Sequence, residues 1–193
     1  MPRIFLALNF SVAVTRKIAE EVDRRKAAMA DAGFRVAWVP AANLHLTLRF
    51  LGSVGEEPVE GVVGACGRVA ARHQPFEAKA IGVGAFPSAQ KPSVLWVGVE
   101  PSPALTALQR EIDAAMVELG FEKEERAYHP HVTVGRVKEA RGSAEELWKG
   151  DALVGASAFN EIVVYESKTR SAGAEYVARA RVALGDQAMK EKR

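Results

Sequence analysis

Cysteine is nearly absent, since Cys66 is the one thiol among 193 residues. No intrachain disulfide can close, and zinc sites of the ribbon or finger type, which need several thiolates, are excluded. Cys66 falls among Val62, Val63 and Val69 and reads as a small apolar core residue. A dominant charge is missing too. The 26 Lys and Arg oppose 24 Asp and Glu for a net charge of +2, which excludes a nonspecific coating of nucleic acid and makes any anion site local. No stretch approaches the roughly 18 consecutive apolar residues that span a bilayer. The apolar opening, residues 4–14, is interrupted by Asn9 and Ser11 and runs into Thr15-Arg16-Lys17, so it reads as a buried strand and not as a secretory leader. The expectation is a cytoplasmic protein with no membrane association and no evident obligate protein partner.

Low-complexity linkers are also lacking. With 48% hydrophobic and 26% charged residues the composition is that of an ordinary folded domain. Residues 1–185 are expected to form one domain built of two lobes, and residues 186–193 a polar tail that frays.

What is present reads as alternating strands and helices. A strand over 3–10 leads to Ser11, which can cap a helix whose apolar residues Val14, Ile18 and Val22 recur every four positions, ended by Gly33. Short strands follow over 34–39 and 43–51, the latter stopped by Gly52, then a helix over 56–72. Residues 76–86 and 94–100 form a strand pair. Ser102 and Pro103 then open a helix with a core face of Leu105, Leu108, Ile112, Met116 and Leu119, ended by Gly120. Strands over 131–137, 158–167 and 175–182 close the chain, with a short helix over 143–149. Several strands must be antiparallel neighbours, which favours α+β over a doubly wound parallel sheet.

Two segments repeat one pattern. His45-Leu46-Thr47-Leu48 and His131-Val132-Thr133-Val134 both read His, apolar, Thr, apolar, and the two histidines lie 131 − 45 = 86 residues apart. In a regular strand side chains alternate, so His45, Thr47 and Arg49 share one face while Leu44, Leu46, Leu48 and Phe50 take the core side. His131 and Thr133 share a face in the same way. An imidazole and a hydroxyl about 7 Å apart suit a phosphate: Thr donates a hydrogen bond to a nonbridging oxygen, and His takes or gives a proton. Two such faces meeting across a cleft supply an acid and a base at once, which is what in-line opening of a cyclic phosphodiester requires.

At these residues the sequence resembles the 2H phosphoesterase superfamily, and within it the RNA 2',3'-cyclic phosphodiesterases, also known as 2'-5' RNA ligases. The resemblance runs through residues 3–8, 43–52, 95–99, 128–136 and 165–167. It implies an α+β, bilobal fold in which two pseudo-symmetric lobes of mainly antiparallel sheet enclose a central cleft, with helices outside. It implies metal-independent hydrolysis of RNA 2',3'-cyclic ends, or of small cyclic nucleotides, to 2'-phosphomonoesters, with no cofactor. His45 would protonate the departing 3' oxygen and His131 would activate water. Thr47, Thr133 and Arg136 would hold the phosphate. Arg136 has the wrong parity for a regular strand, and a bulge at Gly135 is expected to redirect it. Arg49, Trp38, Phe5 and Tyr128 are candidate RNA contacts, since splayed bases stack on aromatic and Arg side chains.

Three other readings compete on the same residues: a metal site from His45, His129 and His131, a non-catalytic RNA-end binder, and slow 2'-5' ligation by the reverse reaction. The Thr partners have no use in the first. Pure anion binding is better served by Arg or Lys than by two imidazoles.

Overall fold

The computed structural model describes residues 2–170 and 173–185. The expected polar tail, residues 186–193, lies outside them.

Strand β1 (Arg3–Leu8) is buried from Ile4 onward, and helix α1 (Val12–Asp31) follows at once. The Ser11 side chain accepts from the Val14 amide at 3.3 Å, satisfying a donor that has no partner inside the helix. Gly33 takes φ +83° and turns the chain into β2 (Arg35–Trp38). A 3-10 turn (Ala41–Asn43) precedes β3 (Leu46–Ser53), and helix α2 (Glu56–Ala70) precedes the paired strands β4 (Phe76–Pro87) and β5 (Pro92–Val99). Helix α3 (Pro103–Glu118) starts as expected, with Ser102 capping the Leu105 amide, and buries Leu105, Leu108, Ile112 and Met116. Leu119, expected in the core, is 40% exposed because the helix ends there and Gly120 turns away at φ +90°. Strands β6 (His131–Glu139), β7 (Leu153–Phe159), β8 (Glu161–Arg170) and β9 (Gly173–Ala183) complete the chain.

The strands form two sheets, one in the order β3-β1-β8-β9 and one in the order β2-β6-β5-β4-β7. Every pairing is antiparallel, which bears out the α+β, two-sheet reading. The chain weaves between them: α2 packs on β8 and β9, whereas α1 packs on β7 of the other sheet. A single apolar cluster runs from Ile4 and Leu6 through Leu95 and Val97 to Ile162 and Val164, joining both sheets. Cys66 sits in it, and burial pushes its thiol up to about 12.

Three further expectations are corrected. The strand expected over 158–167 is two strands, broken at Asn160, where the chain leaves the five-stranded sheet for the four-stranded one. The helix expected over 143–149 is a single turn closed by Trp148 N–H on the Ala144 carbonyl, with the Trp148 indole donating to the Gly84 carbonyl at 2.9 Å. Gly52 does not stop β3. At φ +74° it carries the strand through a register shift to Ser53.

Candidate active site

The two motifs are built alike. His45 immediately precedes β3, which is an edge strand paired with β1. His131 opens β6, which lies between β2 and β5. Strands β3 and β6 touch, bringing the motifs together from opposite sheets. His45 Nδ1 lies 2.8 Å from the carbonyl of Asn43, and His131 Nδ1 lies 2.6 Å from the carbonyl of His129, each two residues back. A carbonyl can only accept, so both Nδ1 atoms carry a proton. Each ring therefore keeps Nε2 for chemistry, basic when neutral and acidic when protonated.

The same bulge recurs in both motifs. Along β1, Ala7 faces Thr47 but Leu6 faces Arg49, leaving Leu48 without an opposite residue. Along β5, Trp96 faces Thr133 but Leu95 faces Gly135, leaving Val134 out. The extra residue reverses the alternation beyond it. The residue four beyond each histidine, Arg49 or Gly135, turns to the buried side, and the residue five beyond, Phe50 or Arg136, turns into the cleft. Arg136 thus lines the cleft, redirected by a bulge at Val134, one residue earlier than expected.

The same geometry moves Arg49 away from any RNA. Arg49 is 7% exposed, with Nε 3.2 Å from Asp113 of α3 and Nη1 3.6 Å from Glu124. Its other guanidinium nitrogen donates to the Glu122 carbonyl. The core position that regular alternation gives Phe50 is likewise overturned, for Phe50 is half exposed.

The cleft has a volume of about 120 Å³ and is lined by Phe5, Asn43, His45, Thr47, Phe50, Ser167 and Tyr176 on the side of the four-stranded sheet and by Val39, Thr133 and Arg136 on the other. His131 is not among the lining residues; it opens β6 two residues before Thr133, which is. Phe5 stacks on the His45 ring at 4.8 Å and 30°, and Tyr176 meets that ring edge-on at 5.3 Å. Phe86 meets His131 edge-on at 5.0 Å. Phe5 is 3% exposed, so it backs the imidazole and offers little surface to a base.

Tyr128 and Trp38 also depart from the expected RNA contacts. Tyr128 donates its hydroxyl to the Thr47 carbonyl at 3.0 Å, tying the segment before the second motif to the strand of the first, and burial pushes its phenol upward. Trp38 packs on Trp148 at 5.8 Å with the Lys26 ammonium over its ring, on the side of the sheet facing α1. His129 is exposed, 6.3 Å from Phe86. Tyr176 had no motif to mark it, and Asn43, Phe50 and Ser167 lay within the segments of resemblance without a site role assigned to them. Phe50 alone had a signal, its place five residues after a motif histidine, the same as that of Arg136.

Burial lowers the affinity of both imidazoles for a proton. For His45 desolvation is the main cause, opposed by the Asn43 carbonyl and reinforced by positive charge on His131. For His131 desolvation again leads, opposed by the His129 carbonyl and reinforced by His129 and Arg136. Charge on His131 is thus felt at His45. Among the described residues no three His, Cys, Asp or Glu side chains converge as metal ligands, and no helix is long and apolar enough to cross a membrane.

Two antiparallel sheets, each carrying one His-x-Thr on strands that meet beside one cleft, define a 2H phosphoesterase. A profile of the 2'-5' RNA ligase superfamily matches residues 14–163. The RNA 2',3'-cyclic phosphodiesterase of Methanothermobacter thermautotrophicus is 34% identical over 178 residues, covering 90% of this chain and 94% of that protein. Its namesake in Aquifex aeolicus is 32% identical over 167 residues, covering 84% and 89%. The crystal structure of E. coli LigT superposes with a TM-score of 0.77 at 25% identity, covering 96% of this chain and 99% of LigT. The chain belongs to the 2'-5' RNA ligase superfamily.

Proposed function

We propose that this protein hydrolyses RNA 2',3'-cyclic phosphodiester ends to 2'-phosphomonoesters without a metal ion. The observation that carries this reading is the matched pair of imidazoles, each held by a carbonyl at Nδ1 with Nε2 left free, beside two threonines and Arg136. Relatives named RNA 2',3'-cyclic phosphodiesterase over most of the chain support it. The substrate must be RNA or a ribonucleotide, because a 2',3'-cyclic phosphate forms only where a 2'-hydroxyl exists.

In this mechanism Thr47, Thr133 and Arg136 bind the nonbridging oxygens. Water attacks phosphorus in line with the 3' oxygen. His131 Nε2 takes the proton from that water as the new P–O bond forms, and His45 Nε2 gives its proton to the 3' oxygen as the old bond breaks. The flanking His129 and Arg136 disfavour a proton on His131, which suits the acceptor. Once His131 is neutral its repulsion of a proton on His45 disappears, which suits the donor.

The test is product analysis. An oligonucleotide ending in a 2',3'-cyclic phosphate, incubated with the protein and EDTA, should yield a 2'-phosphate end. A product with a 3'-phosphate, or activity abolished by EDTA and restored by zinc, would refute the reading.

The lowered imidazole affinities fix the pH dependence. Catalysis needs one ring neutral and the other protonated, so the free-enzyme profile is a bell bounded by the two values of the coupled pair. Burial moves both below the usual value of about 6.5, because a desolvated imidazolium sheds its proton more readily. The maximum of kcat/KM should therefore fall on the acid side of 6.5. A bound anionic phosphate favours the imidazolium, so the maximum of kcat should lie at higher pH than that of kcat/KM. A kcat/KM that is level from pH 5 to 9 would contradict the pairing.

A further inference from the structure

The two motifs share histidine, threonine, carbonyl brace and bulge, yet the residue that each bulge turns into the cleft differs: Phe50 in the first, Arg136 in the second. A symmetric phosphate does not require that difference. A nucleotide does, because it carries its charge at one end and an aromatic base at the other.

We propose that Phe50, together with Arg3, is the platform on which the terminal nucleobase of the substrate stacks, an inference that rests on the hydrolase reading above. Phe50 is 50% exposed although it lines the cleft and belongs to a strand with a well-buried face. Its ring lies 6.5 Å from Phe5 at an interplanar angle of 19°, and Phe5 in turn lies 4.8 Å from His45, so three rings rise from the acid-base site in a near-parallel ledge. Phe50 is its open end. The Arg3 guanidinium sits 5.4 Å from the Phe50 centroid and adds a planar cation, a second surface on which bases stack. Phe50 and Arg136 line the one cleft from strands of different sheets, so the stacking surface and the cation are supplied by different walls. Stacking reads the π-face and not the base edge, so this platform accepts all four bases and favours the larger purines.

The experiment compares adenosine 2',3'-cyclic phosphate with glycerol 1,2-cyclic phosphate, which has the reacting ring but no base. The Phe50→Ala variant should reduce the ratio of kcat/KM for the adenosine compound over the glycerol compound by about 5- to 150-fold, the range for losing one aromatic–base stack. Phe50→Trp should hold that ratio at or above the wild-type value. An unchanged ratio in Phe50→Ala, with both compounds still hydrolysed, would overturn the platform and leave the hydrolase reading intact. If the wild-type protein cleaves neither compound, the hydrolase reading falls and the platform falls with it.

Discussion

Replacing His45 or His131 with Ala should lower kcat on a cyclic-phosphate oligonucleotide by at least ~100-fold, the lower end for loss of a positioned general acid or base. At 1.36 kcal/mol per decade this is about 2.7 kcal/mol of transition-state stabilisation. The loss should appear in kcat, since proton transfer occurs in the transition state while Thr47, Thr133 and Arg136 still bind the ground-state phosphate. The double variant should be little slower than the slower single one, because the two rings act in one step and removing either disables it. His45 packs on Phe5, so His45→Gln, which fills more of that space, serves as a second variant that separates lost chemistry from lost packing. A single variant turning over at the wild-type rate, measured by single-turnover kinetics, would remove that histidine from the mechanism.

The second large effect concerns stability. Arg49→Met should destabilise the fold by about 3 kcal/mol, the lower end for breaking a buried ion pair. Arg49 is 7% exposed and its partner Asp113 18%, so the abandoned carboxylate is poorly solvated, whereas Glu124 at 50% can turn to water. At roughly 2–4 °C per kcal/mol for a chain of this size, the melting temperature should fall by about 6–12 °C. Adding Asp113→Leu should recover much of the loss, because two apolar groups replace a stranded charge. Urea unfolding that places Arg49→Met within ~0.5 kcal/mol of wild type would show that the pair contributes little. The consequence reaches the site, since Arg49 holds the Glu122 carbonyl and Tyr128 holds the Thr47 carbonyl. Both bonds join the first motif's strand to the segment that delivers His131.

How much of this was legible before the structure follows from which rules the chain obeys. The capped helices, the paired strands β4 and β5 and the repeated His-x-Thr follow local rules, and they appear where the sequence puts them. Strict alternation fails at the two bulges. It assigns Arg49 to the cleft and Phe50 to the core, and one unpaired residue, Leu48, exchanges them. Gly135 hinted at the second bulge, but Leu48 carries no such mark, and only the equivalence of Phe50 and Arg136 by spacing could have revealed the first. Trp38 and Tyr128 lie near the motifs in sequence, yet Trp38 faces α1 and Tyr128 spends its hydroxyl on a carbonyl. The switch of sheets at Asn160 is a tertiary event with no local signal. The carbonyls of Asn43 and His129, which fix the two tautomers, are backbone atoms and leave no trace in side-chain identity.

The central claim is that His45 and His131 act on one phosphorus atom, and nitrogen-15 NMR of the imidazole rings tests it most directly. Titrating labelled protein with adenosine 2'-monophosphate, the expected kind of product, should move the Nε2 resonances of both rings along one saturation curve. Both should also take up a proton more readily as the dianion binds between them. Movement of one ring alone, or of the two with different dissociation constants, would mean that they do not share a phosphate.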